Sequence, residues 1–279
     1  MTKRFKILII LSICIALIAA WTAFSITHTK NQTANNWWQA ALGSLAVVGG
    51  GLGMLTSKHW SWLKSGVGRG VFLLSAGLAL WGIGQIAWTY VLAKQSSLSV
   101  PLNGSVDILV YLYILTLPFI IYGMLKLSEA TGAKYIFKKR GAKVMVAIWS
   151  LVMIAVTFFV LLGVSGVGTS YFSSVSLSKT VFDLGFPIFD AINLVVAVSI
   201  VGLSWKLIGG LFKIPIIMLA IGFVMLFISD LTFSYYEVTN KYYNGHWSDL
   251  LYVLTFAIFS IALCSLDPTK NLKTVKSRI

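Results

Sequence analysis

Long apolar stretches recur along the whole of this chain, and they constrain its fold more than any other feature. A bilayer core needs about 20 apolar residues per helix. Charged residues make up only 11% of the chain, whereas soluble domains contain about 25%, so too few charges remain to cover a water-facing surface. We therefore predict an all-α integral membrane bundle of about eight transmembrane helices: Ile7–Phe24, Trp37–Leu55, Val71–Leu92, Ile108–Leu125, Val144–Val164, Phe186–Trp205, Ile214–Tyr235 and Leu250–Leu263.

The basic residues predict the orientation of these helices, because basic loops are retained on the cytoplasmic side. With the N-terminus inside, 18 of the 22 lysines and arginines fall in cytoplasmic segments, and the other four fall in outer loops. This asymmetry favours an even number of spans in the cell membrane, with both termini in the cytoplasm. The net charge of +14 is then mainly a topology signal. It indicates anionic lipid as the partner rather than nucleic acid.

The predicted spans form a single domain, residues 1–266, followed by a short basic cytoplasmic tail, residues 267–279. The tail is expected to lie on the membrane surface and to be poorly ordered. The first span has a second interpretation, as a cleaved signal peptide, which would leave seven spans. The sequence leaves this open, as it does the glycosylation of two sequons that begin at Asn31 and Asn103 in predicted outer loops.

A weak internal repeat relates two predicted hairpins. Residues 77–90 align with residues 222–235, and each segment is followed by a polar outer loop and then by an aspartate that opens the next span, Asp107 or Asp249. The repeat unit is a helical hairpin that always enters the membrane from the same side. Parallel repeats of this kind occur in transporters and in sensor bundles, so the repeat predicts architecture rather than activity.

Acidic residues within apolar spans are costly in a membrane and indicate function. Asp107 and Asp249 open helices, where capping explains them best. Asp190 and Asp230 lie too deep for simple capping, which leaves function or an interhelical polar contact. We predict that they share one polar site in the outer half of the bundle. The candidate ligand-binding residues are Gln85, Trp88, Asp190, Asn193, Asp230 and Tyr235, and they suit a cation or a small polar molecule.

Other suggestive features favour structural interpretations. Cys14 and Cys264 lie inside apolar runs without CxxC spacing. The glycine-rich run Gly49–Gly53 lies inside a span without a GK[ST] motif, so it indicates a close helix contact rather than a phosphate loop. Neither the histidine spacing nor the placement of serines and acids predicts a metal site, a cofactor site or a catalytic set. We therefore expect no enzyme activity and no cofactor.

Several short motifs resemble a prokaryotic membrane module. They are Asp107-x3-Tyr111, Pro187-x2-Asp190, Asp230, and Ser248-Asp249-x2-Tyr252. This pattern is similar to the multi-helix sensor found at the N-terminus of diguanylate cyclases and sensor histidine kinases. The resemblance covers roughly residues 72–268 and implies a sensor, although no output domain follows within these 279 residues. It also implies a signalling partner in the cytoplasm or the membrane.

Three functions follow from these observations. The first is a non-enzymatic sensor or regulatory module with an outward-facing acidic and aromatic pocket. The second is a small proton- or cation-coupled transporter that uses Asp190 and Asp230. The third is a structural subunit of a membrane complex. Continuous helices around an outward pocket would favour sensing, broken helices near mid-membrane would favour transport, and a large apolar groove would favour the subunit.

Overall fold

A computed structural model of the protein describes residues 1–26, 32–98, 103–130, 140–164, 185–204 and 210–268. These residues form eight α-helices and no strand, which confirms the all-α prediction. Short 3-10 turns precede α3 and α7, and π-helical turns extend α5 over Phe159–Val164. The helices are α1 Lys3–Ile26, α2 Gln32–Lys58, α3 Gly66–Leu98, α4 Asn103–Ala130, α5 Arg140–Phe158, α6 Phe186–Ser204, α7 Lys213–Val238 and α8 Asp249–Ser265.

Six of the helices described are long and apolar enough to cross a membrane, namely α1 to α5 and α7. Helices α6 and α8 carry shorter apolar stretches, Pro187–Ser199 and Asp249–Ser265. Helix α4 begins at Asn103, five residues before the predicted span, because hydropathy detects only the apolar part of a helix and not its polar first turns. The sequon at Asn103 therefore falls at a helix start, whereas Asn31 and the tail from residue 269 lie outside the described residues.

Helix α8 occupies the centre of the bundle. It packs against α1, α2, α3 and α7, while α4 extends the bundle beyond α3 and α6 and α5 extend it beyond α7. Apolar residues of α8 such as Val253, Phe256 and Leu263 are almost fully buried. A helix that is apolar on all sides is one that other helices surround. Helix α8 therefore extends through the centre of the bundle from one end to the other.

Helices α2 and α3 approach closely at glycines. A Cβ atom added at Gly50 would lie 2.8 Å from the Cβ of Ala79 on α3, and one added at Gly43 would lie 2.8 Å from the carbonyl oxygen of Gly82. Gly49 faces Ser260 of α8 in the same way. Within the run Gly49–Gly53, Gly49, Gly50 and Gly53 thus form a close helix contact, as the sequence indicates, and small residues there let the backbones meet.

A buried ion pair joins α1, α2 and the end of α8. The Nζ of Lys6 lies 3.0 Å from Oδ2 of Asp267, and the two side chains are 1% and 0% exposed. Lys6 also donates to Oγ1 of Thr56 at 2.8 Å, and Nδ1 of His59 lies 2.9 Å from Oδ1 of Asp267. The first residue of the predicted tail is therefore part of the packed bundle. Sequence patterning missed this pair because charges at the ends of apolar spans ordinarily face water.

Helix α5 leaves a wide apolar groove beside it. The groove has a volume of about 570 Å³ and is lined by residues of α5, α6 and α7: Met145, Trp149, Met153, Leu194, Val195, Val198, Ser199 and Val224. Much of α5 is exposed, including Trp149 and Leu151. Exposed apolar surface of this size indicates contact with lipid or with another protein.

Candidate functional site

A small polar cavity lies among α2, α3, α4, α7, α8 and the segment between α7 and α8. About 40 Å³ of it is accessible to the centre of a water molecule, and one water needs about 10–15 Å³ on that measure. The cavity thus has room for a few waters or a small ion. Its walls combine six aromatic rings with amide, hydroxyl and carboxyl groups: Gln39, Trp81, Gln85, Trp88, Tyr113, Asp230, Phe233, Ser234, Tyr242 and Tyr252.

Each of the two repeated hairpins contributes one hydrogen-bonded pair to this cavity. In the α3–α4 hairpin, the hydroxyl of Tyr113 donates to Oε1 of Gln85 at 3.0 Å. In the α7–α8 hairpin, the hydroxyl of Tyr252 donates to Oδ1 of Asp230. Gln85 and Asp230 are equivalent in the sequence repeat, and the structure brings the two hydrogen-bonded pairs together around one space. The repeat therefore builds the opposing walls of the site.

The tyrosine of the first hairpin differs from the one that the motifs indicate. The motifs match Tyr252 with Tyr111. The side chain that donates to Gln85 is instead Tyr113, two residues further along α4. Tyr113 is 5% exposed, and the Tyr111 side chain lies outside the described part of α4. The residue that faces the cavity depends on which face of the helix its neighbours cover. Loose motif spacing does not determine that face.

Two buried carboxyl groups meet beside the cavity. Asp190 of α6 and Asp230 of α7 are 1% and 5% exposed, and their side chains interact directly. Among the described residues, neither oxygen of Asp190 nor Oδ2 of Asp230 has a hydrogen-bond donor of ordinary geometry. Of the residues that the structure describes, no lysine, arginine or histidine lines the cavity. Within this part of the chain, the pair offers several acceptors, and no basic residue faces the space beside it.

A further acidic residue, Asp249, lies where the segment between α7 and α8 covers the cavity. Oδ2 of Asp249 accepts the backbone N–H of Gly245 at 2.9 Å, and its Oδ1 accepts the hydroxyl of Tyr242 at 3.1 Å. Asp249 therefore holds the turn before α8 instead of capping the first N–H groups of α8. Burial, helped by the Asp249 carboxyl, raises the pKa of the Tyr242 hydroxyl well above its usual value. Tyr242 consequently stays protonated and acts as a donor at neutral pH.

The segment between α7 and α8 is anchored to the first two helices. Nε1 of Trp21 donates to the carbonyl oxygen of Gly245 at 2.9 Å, and Nδ2 of Asn244 donates to Oδ1 of Asn36 at 2.7 Å. Gly245 has a φ of 83°, a left-handed conformation that glycine adopts without strain. Burial lowers the pKa of His246, so its imidazole is neutral at pH 7 and adds no positive charge near the cavity.

The structure brings together most, but not all, of the predicted site residues. Gln85, Trp88 and Asp230 line the cavity. Asp190 reaches Asp230 from behind the wall, and Asn193 is buried beside Asp190 on α6. Tyr235 does not line the cavity but packs against the ring of Tyr236, with ring centroids 5.3 Å apart.

Seven wall residues were not among the predicted ligand-binding residues. They are Gln39, Trp81, Tyr113, Phe233, Ser234, Tyr242 and Tyr252. Gln39 carries a usable signal, because an amide inside an otherwise apolar span needs a polar partner. The aromatic residues carry no such signal, since rings near span ends are equally typical of an interfacial belt. Only the fold separates rings that face the cavity from rings that face outward.

No protein-family model matches this chain, and no curated protein or solved structure matches it either. The resemblance to prokaryotic sensor modules therefore stays a prediction based on short motifs. The cavity itself supplies the chemistry for a functional inference: its described lining contains one carboxyl group, aromatic rings around it and no basic residue.

Proposed function

We propose that this protein is a non-enzymatic, multi-pass cell-membrane sensor or regulatory module that binds a small cation in the cavity between its hairpins. In this proposal all eight helices span the membrane, both termini are cytoplasmic and the cavity lies on the outer side. The observation that carries the proposal is the Asp230 carboxyl, 5% exposed in a wall of six rings, with Oδ2 free of a hydrogen-bond donor among the described residues.

The wall chemistry favours a weakly hydrated cation such as an ammonium group. Aromatic rings attract cations through their faces, and the attraction grows when water is excluded. Two ring pairs in the wall meet at steep angles: Trp81 with Tyr113, and Phe233 with Tyr242, both at 74° between planes. Rings set at such angles present both faces and edges to the enclosed space. Asp230 then supplies the single formal charge that pairs with the ligand.

Continuous helices favour sensing over transport. Among the described residues, α3, α7 and α8 pass the cavity as uninterrupted helices, whereas substrate sites of many transporters are built from broken helices. Helix α8 also runs from Tyr252 at the cavity to the Asp267 ion pair at the other end of the bundle. A change at the cavity can therefore reach the cytoplasmic side through one rigid element.

The transporter remains a second candidate because of one observation. Asp190 and Asp230 form a buried acidic pair, and intramembrane acids of this kind mark ion pathways and proton relays in transporters. Uptake of a radiolabelled cation into proteoliposomes would favour this candidate, whereas binding without uptake would favour the sensor. The apolar groove beside α5 calls for no protein partner in this setting, since lipid chains would cover it.

Replacing Asp230 with asparagine should weaken cation binding. In the purified full-length protein, we expect Asp230→Asn to raise the dissociation constant for tetramethylammonium by about tenfold or more, because it removes the charge but keeps the shape. Isothermal titration calorimetry in lipid nanodiscs measures this directly. Glu129→Gln is the matched control, because Glu129 is an exposed acid at the far end of α4. Equal binding by wild type and Asp230→Asn would contradict the cation site.

The topology can be tested by thiol labelling in intact cells. Lys64 and Lys241 are both exposed and lie in segments predicted to face opposite sides. In a variant whose Cys14 and Cys264 are replaced by alanine, we expect Lys241→Cys to react with a membrane-impermeant maleimide. Lys64→Cys should react only after lysis, because basic segments are retained inside. Labelling of Lys64→Cys in unbroken cells would reverse the proposed orientation.

A further inference from the structure

The Asp190–Asp230 pair leaves three of its four carboxyl oxygens without a donor among the described residues. The fourth oxygen, Oδ1 of Asp230, accepts the hydroxyl of Tyr252. A buried acceptor without a donor is expensive, and a buried unpaired charge is more so. Two facing carboxylates add mutual repulsion to that cost. The arrangement therefore needs positive charge or a proton from somewhere other than the wall.

The groups of the described residues that face the pair from the surrounding helices do not supply that charge. Phenols approach Asp230 from α8 and α4, through Tyr252 and Tyr113. An amide, Asn193, lies beside Asp190 on the same helix. Beyond them lie two further acids and one more phenol, namely Asp249, Glu237 and Tyr242. Each of these groups is neutral or acidic, so within the described part of the chain positive charge has to come from a proton or a bound cation.

We propose that Asp190 and Asp230 share one proton in the ligand-free protein, and that a cation entering the cavity displaces this proton. The inference rests on the cation site proposed above, and it specifies that the bound cation replaces a proton. The proton leaves a carboxyl oxygen for water in the cavity and passes to the outer solution. The pair carries one negative charge before binding, and two negative charges with one cation afterwards. The total charge of the site is therefore unchanged.

The geometry assigns different roles to the two acids. Asp230 lines the cavity and can touch the cation, with Oδ1 fixed by Tyr252 and Oδ2 available. Asp190 is 1% exposed and is not among the lining residues. Asp190 therefore acts as a positioning residue that stores the proton with Asp230. Removing its charge should leave a cation site at Asp230 that no longer releases a proton.

Calorimetry in buffers of different ionisation enthalpy tests this exchange. With tetramethylammonium as the probe and the full chain in nanodiscs, we expect release of about one proton per cation and about tenfold tighter binding for each unit increase in pH. Asp190→Asn should bind the cation with no proton release and no such pH dependence. Glu129→Gln should behave as wild type. Size-exclusion chromatography and circular dichroism check that each variant is folded.

The possible outcomes separate the two proposals. Binding whose observed enthalpy is the same in every buffer would overturn the exchange and leave the cation site standing. Failure of tetramethylammonium, choline and sodium to bind would instead count against the proposed function. Infrared spectroscopy then tests the shared proton without any ligand. We expect a protonated carboxyl C=O band that is lost in Asp190→Asn and retained in Asp249→Asn, and its absence from the wild type would overturn the shared proton.

Discussion

Lys6→Met is expected to destabilise the protein by about 3–5 kcal/mol, because it removes the lysine that is ion-paired with a buried carboxylate. Lys6 and Asp267 are both almost fully buried, and their charged atoms lie 3.0 Å apart. His59 remains next to Asp267 in the variant, but its imidazole is one-third exposed and carries a full charge only when protonated. The free energy of unfolding can be measured by denaturant titration in mixed micelles.

Two controls identify the cause of this loss. The double variant Lys6→Met/Asp267→Leu removes both charges, and we expect it to recover most of the stability, because apolar residues can replace a buried ion pair. Lys126→Met breaks a partly exposed ion pair with Glu129 within α4, and it should change stability little. If the Lys6 variant were as stable as the Lys126 variant, the buried ion pair would not hold the end of the bundle together.

Gly50→Leu is expected to destabilise the bundle by about 3 kcal/mol through overpacking between α2 and α3. The first added carbon atom would already lie 2.8 Å from two atoms of Ala79, one of them a backbone nitrogen. Backbone atoms cannot rotate away as a flexible side chain can, so the two helices would have to separate. The same denaturant titration in mixed micelles measures the effect.

The neighbouring glycine provides a matched control. A Cβ atom at Gly51 would meet nothing within 4 Å, so Gly51→Leu adds the same side chain one residue along and points it away from α3. We expect Gly51→Leu to be as stable as the wild type or slightly more stable, since leucine favours a helix more than glycine does. Similar losses in both variants would mean that helix propensity or membrane insertion, rather than the α2–α3 contact, sets the effect.

The apolar runs were sufficient to predict the helices, because a run of about 20 apolar residues is the length that a membrane-crossing helix requires. The eight predicted spans correspond in order to the eight described helices. The ends were less predictable. The polar residues that begin α4 at Asn103 belong to the helix without contributing apolar length. Asp267 looked like the start of a tail because nothing in the nearby sequence reveals a partner 261 residues away.

The candidate site was predictable in part for a related reason. An acid inside an apolar span is conspicuous, so Asp190 and Asp230 stood out, and the structure places their side chains in contact. Tyr113 and Tyr252 did not stand out, because a tyrosine near a span end also suits the membrane interface. Their role depends on helix rotation, which is determined by packing against other helices. The ligand-binding role of the whole set stays a prediction that the binding experiments decide.

The contact between Lys6 and Asp267 has a consequence for the way the chain is made. Its two partners are separated by almost the entire sequence, so they cannot meet until the ribosome has released the last helix. Until then, the charge of the lysine in the first helix needs other polar partners. Asp267, two residues beyond the end of α8, then neutralises this charge inside the packed bundle. A chain that stops before residue 267 would leave Lys6 without this carboxylate.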